Sequence, residues 1–202
     1  MTFTSTRLIP FDTFVAEYGD DFQYELADGE LIDMEPTGTH EAVGGKIAAQ
    51  ISGAITAAKL PWVIPRTCLV RPFGGVATAR RPDVVVLDET ALPDEPRWEK
   101  EPVITLGRSI KLLVEVVSTN WETDYARKVE EYALLGVPEY WIADFRGLGG
   151  TAFIGKPKQP TFTVCQLVGE EYQQQQYRLG DTIASPLLPN LQFKLENVLP
   201  QL

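Results

Sequence analysis

The chain holds a single histidine and two cysteines in 202 residues, and these shortages exclude more chemistry than any motif supplies. One histidine, His40, cannot build a histidine-rich zinc or copper site, and any Ser-His-Asp or Cys-His pair would have to be built on it. Cys68 and Cys165 lie far apart in β-like runs, which fits neither a zinc motif nor a redox pair and suits two buried apolar thiols. Carboxylates and lysine are left to carry the chemistry. Long hydrophobic runs are missing too: none approaches the roughly 20 residues that cross a bilayer, and the N-terminus has no signal-peptide pattern, so a cytoplasmic protein with no membrane partner is expected. Positive charge is also scarce, with 18 Lys+Arg against 28 Asp+Glu and a formal charge of -10. That balance speaks against a protein that coats nucleic acid non-specifically, though it leaves room for a local basic groove.

What is present is an ordinary globular composition, 44% hydrophobic and 23% charged, at a length that suits one domain spanning residues 1–202. Tyr24-Glu25-Leu26, the turn-forming Ala27-Asp28-Gly29 and Glu30 to Met34 read as a hairpin. A helix is predicted from about His40 to Lys59, because Val43, Ile47, Ile51 and Ile55 recur at helical spacing behind Thr39 as N-cap, and Pro61 stops it. A strand-like run from Trp62 to Val70 leads through Gly74-Gly75 to Arg80-Arg81-Pro82, after which Asp83 to Leu87 is nearly all apolar. Residues 88–110, with three prolines and surplus acids, read as a surface excursion. Lys111 to Val117 is a second buried strand, Thr119 to Glu122 has capping-box spacing for a helix closed by Gly136, and Glu139 to Asp144 is the next strand. This strand, helix, strand unit predicts a right-handed crossover between parallel strands. The remainder alternates short β runs with turns, and Gln173 to Gln176 reads as an exposed strand or loop. The fold class is α/β: a central mixed sheet flanked by helices, with a β-rich C-terminal extension.

Glu115 stands in a run of Leu and Val where an ionised carboxylate costs several kcal/mol unless a cation or strong donors meet it. Asp83, directly after Pro82, poses the same question at the start of the other apolar strand. If the strands are neighbours, about 4.8 Å apart, both carboxylates can converge on Mg²⁺ or Mn²⁺, hard ions that prefer oxygen ligands. The plainer alternative is that Asp83 caps a turn while Glu115 pairs with a buried Arg or Lys. On the following helix Asp124 and Lys128 share a face at i, i+4 spacing, which is either an ordinary exposed pair or a means of bringing a lysine beside Glu115.

Pro82-Asp83, Glu115 to Ser118, Asp124, Lys128, Tyr132 and the run Gly136-Val137-Pro138-Glu139-Tyr140-Trp141-Ile142-Ala143-Asp144 together resemble the Uma-two family of the PD-(D/E)XK restriction-endonuclease-like superfamily. The resemblance extends from the Tyr24 hairpin to Leu188-Pro189. It implies a restriction-endonuclease-like core and metal-dependent endonucleolytic hydrolysis, with nucleic acid, DNA foremost, as substrate. Asp83 and Glu115 match the metal-binding acids, with Mg²⁺ or Mn²⁺ as cofactor. Val117 stands where the motif has lysine, so Lys128 is the displaced replacement, while Glu30 would supply an additional N-terminal carboxylate or simply face solvent. His40 and Asp124 match recurrent family positions, His40 either packing locally at its helix start or moving protons.

Between Arg66 and Pro82 the only charged residues are Arg66, Arg71, Arg80 and Arg81, a basic stripe that would meet phosphates or else neutralise acids elsewhere. The missing lysine at Val117 and the overall acidity keep a second class open: a catalytically inactive nuclease fold serving as a protein-interaction or regulatory module. A homodimer is expected if Tyr140, Trp141, Phe153 and the β-rich tail expose apolar surface.

Overall fold

The two apolar runs of the sequence, 83–87 and 111–117, become adjacent strands at the centre of a six-stranded mixed sheet. The structure is a computed structural model and describes residues 8–34, 36–72 and 77–200; the Gly74-Gly75 turn lies outside them. The chain begins with helix α1 (Phe11–Tyr18) and the hairpin β1 (Tyr24–Ala27) and β2 (Glu30–Asp33). Asp28 and Gly29 both take positive φ, +53° and +82°, which matches the right-handed twist of a two-residue hairpin and explains the Asp-Gly pair. Helix α2 (Gly38–Ala58) follows, then β3 (Trp62–Val63), β4 (Leu69–Val70), β5 (Val84–Asp88), β6 (Val103–Ile104) and β7 (Ile110–Val116). A π-helical turn (Thr123–Arg127) opens helix α3 (Lys128–Leu135), which leads to β8 (Glu139–Asp144) and a short helix α4 (Thr151–Ile154). The chain closes with β9 (Thr161–Val168), β10 (Glu171–Tyr177), β11 (Thr182–Ala184), β12 (Gln192–Lys194) and a short helix α5 (Leu195–Val198).

The sheet order is β10-β9-β8-β7-β5-β3, with β7 and β8 parallel and the other neighbours antiparallel. Because β5, β7 and β8 are covered on both faces, their side chains feed two cores. Val84, Val86, Val114, Val116 and Trp141 pack under α2 and the β11–β12 tail, while Val85, Leu87, Leu113, Val117 and Tyr140 pack under α3. Val43, Ile47, Ile51 and Ile55, four apart on one face of α2, are all buried, each worth about 1.5–3 kcal/mol relative to exposure. A third, smaller core joins α1, β1, β4 and β6 through Phe14, Leu26, Leu69 and Val103.

Several expectations are corrected. Helix α1 was not anticipated, although Phe11, Phe14, Val15 and Tyr18 have helical spacing. Thr37, not Thr39, caps α2: its hydroxyl accepts the His40 N–H at 3.3 Å. The run 62–70 splits around Pro65 into β3, which joins the main sheet, and β4, which pairs in parallel with β6. Residues 88–110 are not wholly a surface excursion, since Val103 and Ile104 are buried and so is Glu95, which accepts the N–H groups of Thr105 and Leu106. Gln173 to Gln176 are exposed in the edge strand β10, which agrees with the reading of an exposed strand or loop. Of the residues behind the dimer expectation, Tyr140 and Trp141 are fully buried and Phe153 is partly buried against Trp121 and Tyr125, while the β-rich tail does expose Val168 and Leu179. No described helix is long and apolar enough to cross a membrane.

Candidate active site

Strand parity decides where Glu115 points. Val114 and Val116 face the α2 core, so Glu115, between them, projects with Leu113 and Val117 toward α3. On the helical side Asp124, Lys128 and Tyr132 recur every four residues and form one stripe that meets it. The ammonium of Lys128, 1% exposed, lies 2.9 Å from Glu115 Oε2 and 3.2 Å from Asp124 Oδ1, and the Tyr132 hydroxyl donates to Glu115 Oε1 at 2.8 Å. The π-helical turn just before α3, in which the Lys128 N–H bonds to the Thr123 carbonyl, sits at the point where the helix reaches this carboxylate. Val117, just past the end of β7, is buried among apolar neighbours.

Asp83 lies just before β5. Val84 pairs with Val114 across an antiparallel ladder, which carries Asp83 level with Glu115. Its side chain is 19% exposed, and its Oδ2 accepts the Val116 N–H at 2.6 Å. His40, at the first turn of α2, places Nε2 2.7 Å from the Val116 carbonyl and 3.6 Å from Asp83 Oδ2. The possible ligand atoms of His40, Glu41 and Asp83 lie within 4.8 Å of one another.

The N-terminal carboxylate that reaches this cluster is Glu25 and not Glu30. Glu30 lies opposite Ala27 and so shares a face of the hairpin with Glu25, but it sits beside the turn on the outer strand β2, where it is exposed on the wall of a second cavity that Glu25, Asp124 and Lys128 also line. Glu25, 1% exposed, accepts the Arg81 N–H at 2.7 Å and Arg80 Nη1 at 3.2 Å, and stands 3.7 Å from Lys128 Nζ. The arginine stripe likewise divides. Arg80 is no phosphate ligand: it is 2% exposed and forks onto both oxygens of Glu131 at 2.8 Å as well as onto Glu25. Arg71 is exposed and lies over the Phe11 ring at 4.3 Å. Arg66, exposed, and Arg81, half-buried, line a cavity of about 800 Å³ together with Asp83, Glu115, Asp124, Lys128, His40 and Glu41.

The electrostatics of the cluster are uneven. Burial works to raise the Glu25 carboxyl, but Lys128, Arg80 and the Arg81 N–H outweigh it and hold the group below its ordinary value. Burial raises Glu115 well above its ordinary value despite Lys128, helped by the Asp83, Asp124 and Glu25 carboxylates. Burial also raises Asp124 against Lys128, and it pushes Asp83 up to about 6 against His40 and the Val116 N–H. Negative charge is therefore under-compensated on the side of the cluster that faces the cavity. Burial opposes the Lys128 ammonium, yet Glu115, Glu25 and Asp124 prevail and keep it charged. The two cysteines are buried and free, with burial pushing both thiols up to about 12, which removes them as nucleophiles at neutral pH.

A family model described as "Uma2: Putative restriction endonuclease" matches residues 11–196. The chain belongs to the Uma2 family. No curated protein matches it. Among solved structures, one described as "a putative nuclease belonging to DUF820 from Anabaena variabilis ATCC 29413" superimposes with a TM-score of 0.67 at 15% identity, covering 94% of this chain and 97% of that one. At that identity the likeness establishes the fold. In this Uma2 chain the cavity wall also carries Glu41, Phe22 and the exposed Arg146, none of which the sequence singled out. Their spacing has no periodic signal, because they come from a helix start and from two loops at different places in the chain.

Proposed function

We propose that this Uma2 protein is a divalent-metal-dependent endonuclease that hydrolyses phosphodiester bonds in nucleic acid, with DNA as the expected polymer. The observation that carries the reading is the placing of Lys128 Nζ 2.9 Å from Glu115 Oε2, on the wall of a cavity that Asp83 also lines. Two acids and a lysine thus stand together although the lysine comes from a helix.

The donor set fits a hard cation. Asp83 and Glu115 offer carboxylate oxygens at level positions on neighbouring strands, and each oxygen of Glu115 keeps a lone pair beyond its bond to Tyr132 or Lys128. The mutual repulsion that helps raise Glu115 is what a divalent cation between these acids relieves. Asp83 and Glu115 would hold Mg²⁺ or Mn²⁺, the ion drawing on the His40, Glu41 and Asp83 group only if it sits on the Asp83 side, since Glu115 is not part of that group. When bound, such an ion polarises a phosphoryl oxygen and makes water a better nucleophile at neutral pH. The protein's own groups do the rest. The Val116 N–H fixes the Asp83 carboxylate, the Tyr132 hydroxyl fixes Glu115, and Asp124 and Glu25 keep Lys128 charged and aimed along the same wall. From there the ammonium would lower the cost of negative charge developing on the phosphate, while Arg66 and Arg146, on the same cavity wall, would meet the backbone.

A second reading, a nuclease fold kept as a protein-interaction module, draws on Glu115, whose two oxygens are already met by Tyr132 and Lys128. Cleavage of plasmid and of single-stranded oligonucleotides with Mg²⁺ or Mn²⁺ separates the two. The nuclease reading requires cleavage that chelation abolishes and that Asp83→Asn loses with its melting temperature retained. Absence of cleavage together with absence of metal binding by calorimetry would leave the interaction module.

A further inference from the structure

We propose that the mouth of the cavity is a stacking platform for an unpaired nucleobase, built on Phe22, so that the substrate class is nucleic acid with single-stranded or extruded nucleotides. This deepens the endonuclease reading and rests on its nucleic-acid part.

Phe22 lies between α1 and β1 and is 60% exposed. An isolated exposed apolar residue needs no explanation. Phe22 differs in two respects. It lines the same cavity as Asp83 and Lys128, on a wall that mixes charged groups with Met34, Pro36, Pro82 and Phe145, yet Phe22 itself stays largely exposed. It is also held in place: the Arg81 guanidinium sits 5.6 Å from the ring centroid. That guanidinium is in turn pinned by hydrogen bonds to the carbonyls of Tyr24 at 3.0 Å and of Tyr18 and Gly19 at 2.9 Å. These carbonyls flank Phe22 in sequence, so Arg81 shapes the loop that presents the ring, and it does so two residues from Asp83. All of its hydrogen bonds to this loop go to neutral oxygens.

A ring face presented beside cations is the arrangement that tracks a single strand, in which bases stack on aromatic side chains while the backbone runs along positive charge. Arg66 and Arg146, both exposed on the cavity wall, supply that charge. A paired base inside a duplex has both faces covered by its neighbours and offers none to Phe22. The reacting groups are also recessed, with Lys128 and Glu115 only 1% and 4% exposed at their side chains, so a strand must enter the cavity to reach them. Platform and recess therefore select the same substrate, one whose nucleotide leaves the stack.

The test is fluorescence anisotropy in EDTA, where binding is read without cleavage, using short fluorescein-labelled mixed-sequence single strands of DNA and of RNA and a blunt duplex of the same DNA sequence. Single strands are expected to bind more tightly than the duplex. Phe22→Ala should weaken single-strand binding by roughly 5- to 150-fold, the range for loss of one stacked base, and Phe22→Trp should restore it. Duplex binding should be insensitive to both substitutions, and because the ring is exposed the melting temperature should not move. A preference between the DNA and RNA strands identifies the sugar and supports the platform either way. Unchanged single-strand affinity in Phe22→Ala, or a duplex bound as tightly as the single strand, overturns the proposal. If no nucleic acid binds at all, either in EDTA or with Ca²⁺ in its place, both the platform and the nucleic-acid reading beneath it fail. If single strands bind in the expected pattern but nothing is cleaved with Mg²⁺ or Mn²⁺, the platform stands and only the hydrolytic reading is lost.

Discussion

Lys128→Met removes an ammonium that lies 2.9, 3.2 and 3.7 Å from three carboxylates while keeping an apolar stem of similar length. At an effective dielectric of about 20, each such contact is worth about 4.5–6 kcal/mol of attraction, most of which is offset in the wild type by the desolvation of the charges. The variant keeps the desolvation and loses the attraction. Glu25 retains Arg80, so the uncompensated groups are Glu115 and Asp124. Removing one partner of a buried pair costs about 3–5 kcal/mol, a large part of the roughly 5–15 kcal/mol that holds a domain folded. Urea unfolding followed by tryptophan fluorescence measures this directly. The mechanism is tested by a cycle with Glu115→Gln, whose amide oxygen still accepts from Tyr132 but carries no charge. The double variant should lose less than the sum of the singles by about 1–3 kcal/mol. A loss below about 1 kcal/mol in Lys128→Met, or a coupling below the roughly 0.5 kcal/mol scatter of independent sites, would refute the account of Lys128 as the counter-charge of this cluster.

Burial raises the Glu139 carboxyl above its ordinary 4.5, although Trp141, Ser185 and the Leu187 N–H donate to it. The stability linked to this group is thus present below pH 4.5 and is lost as pH rises through the higher folded-state value. Glu139→Gln cannot titrate, so wild-type stability should fall relative to this variant as pH is raised from 4.5, and parallel pH profiles in urea would contradict it. Gly107 packs beneath the end of α3, where an added Cβ would stand 1.7 Å from the Leu135 carbonyl oxygen, so Gly107→Ala should cost at least about 1–3 kcal/mol. A melting temperature equal to the wild type's would show that the end of α3 yields freely there.

Local pattern carried much of the fold. The Asp-Gly turn, the four-residue spacing of Val43 to Ile55 and the three apolar runs each specify an element through contacts a few residues apart, and the structure bears these elements out. Helix α1 shows where such reading thins out: eight residues behind Pro10 carry a periodic signal that becomes firm only once β1, β4 and β6 cover its apolar side. The break of 62–70 into two strands belongs to the same class, because β4 finds its partner in β6, inside a stretch whose prolines and acids suggested exposure.

For the site, composition excluded a histidine-rich metal centre and a paired-cysteine site, and the pattern singled out Asp83, Glu115 and Lys128 as residues in need of partners. It did not determine which carboxylate and which arginine would supply them. Glu25 and Glu30 are both acids of one hairpin, and Arg80 and Arg81 are consecutive. What separates them is the bridge of Leu26 to Ala79, which lays β1 beside the segment before Asp83 and carries Arg80 to Glu25 across 55 residues, while Glu30, on the same face, stays on the outer strand. Periodicity encodes which face of an element is apolar, and that much was determined by the sequence alone. Which charges meet on the buried face depends on the pairing of distant segments, where one residue of register exchanges the inner side chain for the outer one, and only the tertiary structure decides it.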